Sequence, residues 1–220
     1  LLRSKTYEQR EADAVRALVG PEDVAMELGA GIGFMSTLMA RSCKARHVHT
    51  FEANPTFIPY IREVHALNEV ADKVTLTNAL LGPRKGKATF YEREHFSASS
   101  MMADPPGVGS PVVREHEVEV LNIKHVMAEI KPTALVCDIE GAEEHVLPHA
   151  DLSTVRVAVV GTGSRGGGHV DSFLKIENVQ VSHLVDPDSS RVQSRAKTVE
   201  ERSGKTPNVY SDMRRAFDDK

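Results

Sequence analysis

The sequence predicts an α/β fold, an open and mostly parallel sheet with helices on both faces. Three observations predict it. Short apolar runs alternate with helical stretches along most of the chain, the pattern of successive strand–helix units. Two strand-to-helix junctions are rich in glycine, Gly29-Ala30-Gly31-Ile32-Gly33 and Gly161-Thr162-Gly163-Ser164-Arg165-Gly166. The strand after each junction ends on an acid, Glu52 and Asp186, and open α/β sheets bind ligands beyond the carboxyl ends of their strands.

Each element follows from local pattern. Residues 7–19 carry Ala12, Val15, Leu18 and Val19 on one helical face, and Gly20-Pro21 stops that helix. Residues 24–28 form a strand that enters the first glycine turn, and a helix runs on through Met39. Residues 47–51 are a second strand. Asn54-Pro55 then reads as an N-cap with proline at the first helical position, and Phe57, Ile61, Val64 and Leu67 give that helix its buried face. Residues 74–77 are a third strand. Residues 87–91 and 116–120 read as antiparallel strands flanking a Pro/Gly/Ser loop, 97–111. A helix (123–129), a strand (134–138) and a helix (142–149) follow.

The pattern restarts near residue 153. Residues 155–160 are a strand, 161–168 a glycine-rich turn, 169–176 a helix, 179–185 a strand, 189–203 a helix and 212–217 a last helix. Two domains are expected, 1–153 and 154–220. One strand, 155–160, ends the first domain and begins the second, so 179–185 would be an exposed edge or lean on the first sheet.

Composition narrows the classes. The chain has 220 residues, 40% hydrophobic and 26% charged, with a net charge of −4. That is ordinary for a globular protein and lacks the basic footprint of a nucleic-acid binder. No apolar run approaches the ~20 residues that span a bilayer, and the charged start carries no signal peptide. Cys43 and Cys137 read as free thiols of a reducing compartment, so a cytoplasmic setting is expected. No Cys/His spacing suggests zinc, and no metal is expected. The start at Leu1 and the end at Lys220 suggest a piece of something longer.

The first constellation is chemical. Glycines let the backbone approach a ligand where any Cβ would clash, and the following helix offers free N–H groups. Glu52 lies 25 positions past Glu27, where a carboxylate can accept both hydroxyls of a ribose. The spacing is G-x-G-x-G with Glu27 two residues before Gly29, unlike the G-x-G-x-x-G of dinucleotide folds. Phe51-Glu52-Ala53-Asn54-Pro55, Asn68, Asn78-Ala79 and Cys137-Asp138-Ile139-Glu140-Gly141-Ala142-Glu143 follow in order.

With these blocks, residues 5–153 resemble the FkbM family of class I S-adenosylmethionine methyltransferases, in which Asp is usual at the position of Glu27. The resemblance implies a Rossmann-like methyltransferase sheet, S-adenosylmethionine as cofactor and a hydroxyl on a small molecule or glycan as acceptor. It implies that Glu27, Gly29, Gly31 and Gly33 shape the methionine and ribose pocket, and that Glu52 holds the ribose. Asn78 and Ala79 would line the adenine, and Asp138 and Glu140 would stand near the methyl group, either one as general base. Glu143 and Glu144 read instead as first-turn acids favoured by the helix dipole. Ser97, Ser99 and Ser100 lie in the loop expected over the acceptor, and His95 before it is a weaker candidate base.

The second constellation is a full G-x-G-x-x-G between strand and helix, with Asp186 25 positions after Gly161. Residues 155–219 resemble the start of Gfo/Idh/MocA-family NAD(P)-dependent oxidoreductases. That implies Gly161, Gly163 and Gly166 under a pyrophosphate and Asp186 on a ribose, the acid disfavouring a 2′-phosphate. The family's catalytic lysine, histidine and substrate domain are absent from the sequence. A fragment of such an oxidoreductase, or a non-catalytic fusion fragment, therefore stays open beside the methyltransferase.

Overall fold

A computed structural model describes residues 9–95, 99–101, 103, 109–139, 143–150, 156–160, 164–175 and 180–212. It is a mixed α/β protein whose strands and helices alternate as expected. The chain divides into two compact units. One is Val19–Ala150. In the other, helix α1 (Gln9–Leu18) is grouped with the residues after Ala150. In α1, Ala12 and Val15 are buried while Leu18 is exposed, so the buried stripe continues at Val19 instead.

The first unit is built on four parallel strands, β1 (Val24–Leu28), β2 (His47–Glu52), β3 (Val74–Asn78) and β7 (Ala134–Cys137), in the order β3-β2-β1-β7. Ala25, Met26, Leu28 and Val48 are buried, as strands packed on both faces require. The register sets Glu27 between Thr50 and Val136. Helix α2 (Phe34–Arg41) buries Met35, Leu38 and Met39. Helix α3 (Ile58–Leu67) starts later than expected. Asn54 is not its N-cap: the Asn54 carbonyl accepts from Phe57 N and its Oδ1 from Thr56 N, which makes 54–57 a turn. The face of α3 shifts with it. Ile58, Ile61 and His65 are buried, and Leu67 is exposed. His65 Nε2 meets Ser36 Oγ of α2 at 3.0 Å, and burial lowers the pKa of this imidazole.

A second, three-stranded sheet of the same unit has the order β4-β6-β5. The antiparallel pair β5 (Gly86–Arg93) and β6 (Val112–Asn122) extends beyond the expected strands at both ends. Strand β4 (Leu80–Gly82) pairs parallel with β6 and was not expected, since three residues carry no readable period. Helix α4 (Ile123–Ile130) is capped by Asn122, whose Oδ1 accepts from His125 N at 3.0 Å. Helix α5 (Glu143–Val146) runs into a short 3-10 turn, Leu147–His149.

The second unit corrects two expectations. Strand β8 (Arg156–Val160) lies in a parallel sheet of its own, order β10-β9-β8, and not in the four-stranded sheet. Strand β9 (Gln180–Val185) is the middle strand, flanked by β8 and by β10 (Asn208–Tyr210). An edge was expected because the return to the sheet after residue 203 spans only three paired residues. Helix α6 begins at Ser164 and runs to Phe173, several residues earlier than its period suggested, and α7 (Ser189–Ser203) has its expected bounds. Val170, Val181, Leu184, Val192, Ala196 and Val199 form the core of this unit, with Val209 of β10 packed against it. The helix expected over 212–217 lies outside the described residues beyond Asp212.

Candidate active site

The site is built around Glu52, the last residue of β2. Its residue exposure is only 7%, yet both carboxylate oxygens are occupied by backbone donors. Oε2 accepts from Gly31 N at 2.8 Å and Oε1 from Asn54 N at 2.7 Å. Burial raises the pKa of this carboxyl, and the N–H groups of Asn54, Gly31 and Ala53 hold it back in part. Each carboxylate oxygen has a second lone-pair position, so a fixed, desolvated acceptor remains able to receive two hydroxyls. Asn78 sits directly behind. Its Nδ2 donates to the carbonyls of Glu52 (2.8 Å) and Ala53 (3.1 Å), and buried Ala79 donates its N–H to Glu52 O.

The glycine turn is stitched to the same strand end. Gly29 N and Ala30 N both donate to Phe51 O. Two of its glycines are required for different reasons. A Cβ on Gly29 would lie 2.0 Å from Asp138 O, so this position allows β1 and the end of β7 to approach. Gly31 has φ +54°, and its Cβ would meet nothing within 4 Å. It therefore turns an open side outward beside the Glu52 carboxylate. Gly33 is the residue before α2. Glu27 is 1% exposed and accepts a hydrogen bond from Thr50 Oγ1, so its carboxylate lies within the sheet layer beneath the turn.

Asp138 follows β7, with its N–H donated to Leu28 O at 3.0 Å and its side chain exposed at the carboxyl edge. Glu140 and Ser97 lie outside the described residues, as do the side chains of Glu143 and Glu144. Ser99 Oγ accepts from Arg93 N, and Ser100 pairs with Tyr91, so both brace the hairpin. Buried Arg93 donates to the carbonyls of Ser110 and Ala103, at 2.6 Å each. His95 N donates to Ser110 Oγ.

Sequence reasoning missed a cluster on β5 and β6. His116 Nε2 lies 2.7 Å from Glu92 Oε2, Thr56 Oγ1 donates to the same oxygen at 3.1 Å, and Arg114 Nη1 stands 3.7 Å from it. Burial pushes the Glu92 carboxyl up, but the hydrogen bonds from His116 and Thr56 and the positive charge of Arg114 hold its pKa below the ordinary value. Only the strand pairing, which sets Glu92 opposite Arg114, reveals the cluster. Among the described residues no group of three His, Cys, Asp or Glu could hold a metal, and no helix is long and apolar enough to cross a membrane.

In the second unit Gly161 and Gly163 lie outside the described residues, and Gly166 is in the first turn of α6. Asp186, 5% exposed, follows β9. Its Oδ1 accepts from Asp188 N at 2.9 Å, and its N–H donates to Tyr210 O at 3.1 Å.

Comparison with known proteins gives one family match and several partial relatives. Residues 4–82 match the family described as "TRM5/TYW2 methyltransferase domain", a methyltransferase family other than the one the motifs resemble. Two curated relatives are named "Glycosyl hydrolase family 109 protein". The one from Shewanella woodyi is 35% identical over 68 residues, 31% of this chain and 15% of the relative. The one from Streptomyces niveus is 37% identical over 65 residues, 30% of this chain and 13% of the relative. The chain thus spans only about a seventh of the length of these relatives. Similar stretches of solved structures include an RNA methyltransferase from Salinibacter ruber in complex with S-adenosyl-L-homocysteine (26% identity, 32% of this chain, 47% of that one, TM-score 0.30). Another is M. jannaschii TYW2 in complex with AdoMet (26% identity, 34% of this chain, 33% of that one, TM-score 0.31).

Proposed function

We propose that this chain is an S-adenosylmethionine-dependent methyltransferase of the FkbM type, acting through residues 1–153 on a hydroxyl of a small molecule or glycan. The observation that carries the reading is the bond from Gly31 N to the buried Glu52 carboxylate. It joins the glycine turn to the ribose-type acceptor, and the residues fit a nucleoside: a desolvated carboxylate with spare lone pairs beside a turn whose Gly31 faces open space. The match of residues 4–82 to a methyltransferase domain supports it independently.

When bound, S-adenosylmethionine supplies a sulfonium-activated methyl group, already a strong donor. The chain's own residues then have alignment and exclusion of water to provide. Glu52 would take the ribose hydroxyls, Gly29, Gly31 and Gly33 would let the backbone close on the cofactor above Glu27, and Asn78 and Ala79 would border the adenine. Asp138 and Glu140 would face the acceptor, where a carboxylate can orient a hydroxyl or take its proton. Asp138→Asn is expected to leave cofactor affinity within a few-fold.

A second reading assigns residues 154–220 to an NAD(P)-binding segment, with Gly161, Gly163 and Gly166 at a pyrophosphate and Asp186 at a ribose. The buried Asp186 carboxylate at a strand end favours it. Calorimetric titration with S-adenosylmethionine and, separately, NAD(H) tests both. Micromolar S-adenosylmethionine with marginal NAD(H) is expected; tight NAD(H) and no S-adenosylmethionine would reverse the order.

A further inference from the structure

We propose that His116 is the proton acceptor of the methyl transfer, with Glu92 fixing its tautomer and Thr56 tying the pair to the turn that carries Glu52. The inference rests on the methyltransferase reading and leaves Asp138 to orient the acceptor.

The first argument is tautomeric. Both side chains of the His116–Glu92 pair are only 14% exposed, and they meet at 2.7 Å. Glu92 is ionised, because the donors around it outweigh its burial. A carboxylate has no proton to give, so His116 Nε2 must carry the hydrogen. The neutral imidazole then presents its lone pair at Nδ1. Among the described residues Nδ1 has no hydrogen-bond partner. A half-buried imidazole oriented by a carboxylate through one nitrogen, with the other available, is the arrangement a general base needs.

The second argument is position. A continuous hydrogen-bond path runs from the pair to the proposed ribose acceptor. Thr56 Oγ1 donates to Glu92 at 3.1 Å, Thr56 N to Asn54 Oδ1 at 3.0 Å, and Asn54 N to Glu52 Oε1 at 2.7 Å. The path lies at the carboxyl end of β2, where open α/β sheets bind ligands. The charged groups facing His116 are Glu92 from β5 and Arg114 from β6, with Phe90 as its uncharged register partner and Thr56 from the turn.

In the step, the acceptor hydroxyl gives its proton to Nδ1 as its oxygen bonds to the methyl carbon. The carbon–sulfur bond breaks with its electron pair left on sulfur, and the imidazolium later releases the proton to water.

The test needs no acceptor. The full 220-residue protein carries 10 histidines, so the His116 ring signal is assigned by nitrogen NMR from its loss in His116→Gln, or by through-space contacts from Phe90 where that variant does not fold. Its titration is then compared with saturating S-adenosylmethionine and S-adenosylhomocysteine, which differ by the methyl group and one positive charge. A base in contact with the methyl group is expected to titrate about one pH unit lower with the sulfonium bound. The neutral ring is expected to be protonated on Nε2, a preference lost in Glu92→Gln. Identical titration with both ligands, or a neutral ring protonated on Nδ1, overturns the assignment. If neither ligand binds by calorimetry, the methyltransferase reading itself fails and takes this inference with it; binding without a titration difference removes His116 alone.

Discussion

Glu52 closes β2 and Asp186 follows β9, so the two acids stand at similar places in two parallel sheets. Each stands at the carboxyl end of a parallel strand, and each accepts the N–H two residues on, from Asn54 and from Asp188. That shared bond is local. Any short acid at a strand end can close such a loop on the turn that follows. Glu52 also accepts from Gly31 N of the glycine turn 21 residues before it, while the turn before α6 lies outside the described residues. A carboxylate at a strand end thus marks where the chain turns; at Glu52 it also ties the glycine turn to the strand end.

The largest effect that could break this comparison is at Gly31. Gly31→Val places a β-branched side chain at φ +54°, pointing into the open side of the cradle. S-adenosylmethionine binding should vanish in calorimetry while circular dichroism still reports a folded protein. Retained binding would mean that the turn is not the pocket floor.

Glu52→Ala comes next. Loss of a charge-assisted pair of hydrogen bonds should weaken S-adenosylmethionine binding by about 1.5–3 kcal/mol, ten- to a hundredfold. Asp186→Ala, the matched control, should leave that affinity unchanged. Equal losses in the two variants would erase the distinction drawn between the two acids.

The raised pKa of Glu52 gives a smaller effect with a definite sign. Ribose hydroxyls need the ionised carboxylate, so affinity should fall as pH drops through that raised value, by at most about tenfold per pH unit. The ligand-free fold moves the other way. A carboxyl whose folded pKa exceeds its unfolded one adds stability below the unfolded value, and that stability is lost as pH rises through the folded one. Thermal unfolding across acidic pH, with and without S-adenosylmethionine, should therefore show opposite slopes, and Glu52→Gln should flatten both.

The smallest effect is confined to the second unit. Asp188 caps α7 by accepting from Ser190 N at 3.0 Å. Asp188→Ala should lower local stability and speed hydrogen exchange in 189–203 without touching S-adenosylmethionine affinity. In the unaltered protein 186–212 should open faster than 24–80, since three strands bury less than four. Equal protection would show the second unit to be the more complete module.

Much of this was legible because it is local. Strand β1 and helix α7 have the bounds their patterns predict, since apolar runs, Gly20-Pro21 and the Asp188 cap act within a few residues. The start of α3 was not, because Asn54 and Pro55 suit a helix start and a turn equally, and the burial of Ile58, Ile61 and His65 decided between them. The Glu92–His116 pair was invisible for a different reason. In a strand pattern both residues read as polar positions, and only the β5–β6 register brings them together.

By itself the sequence determined the α/β class, the turn at Gly29–Gly33 and the acids at the two strand ends, all of which are written in neighbouring residues. Tertiary structure decided which sheet each strand joined. It set β8 with β9 and β10, where the sequence suggested a shared strand, because partner choice depends on surfaces far apart in the chain. It also decided which glycine has open space beside it. Gly29 and Gly31 are alike in sequence, but the carbonyl of Asp138, 109 residues on, fills the space beside one and leaves the other open.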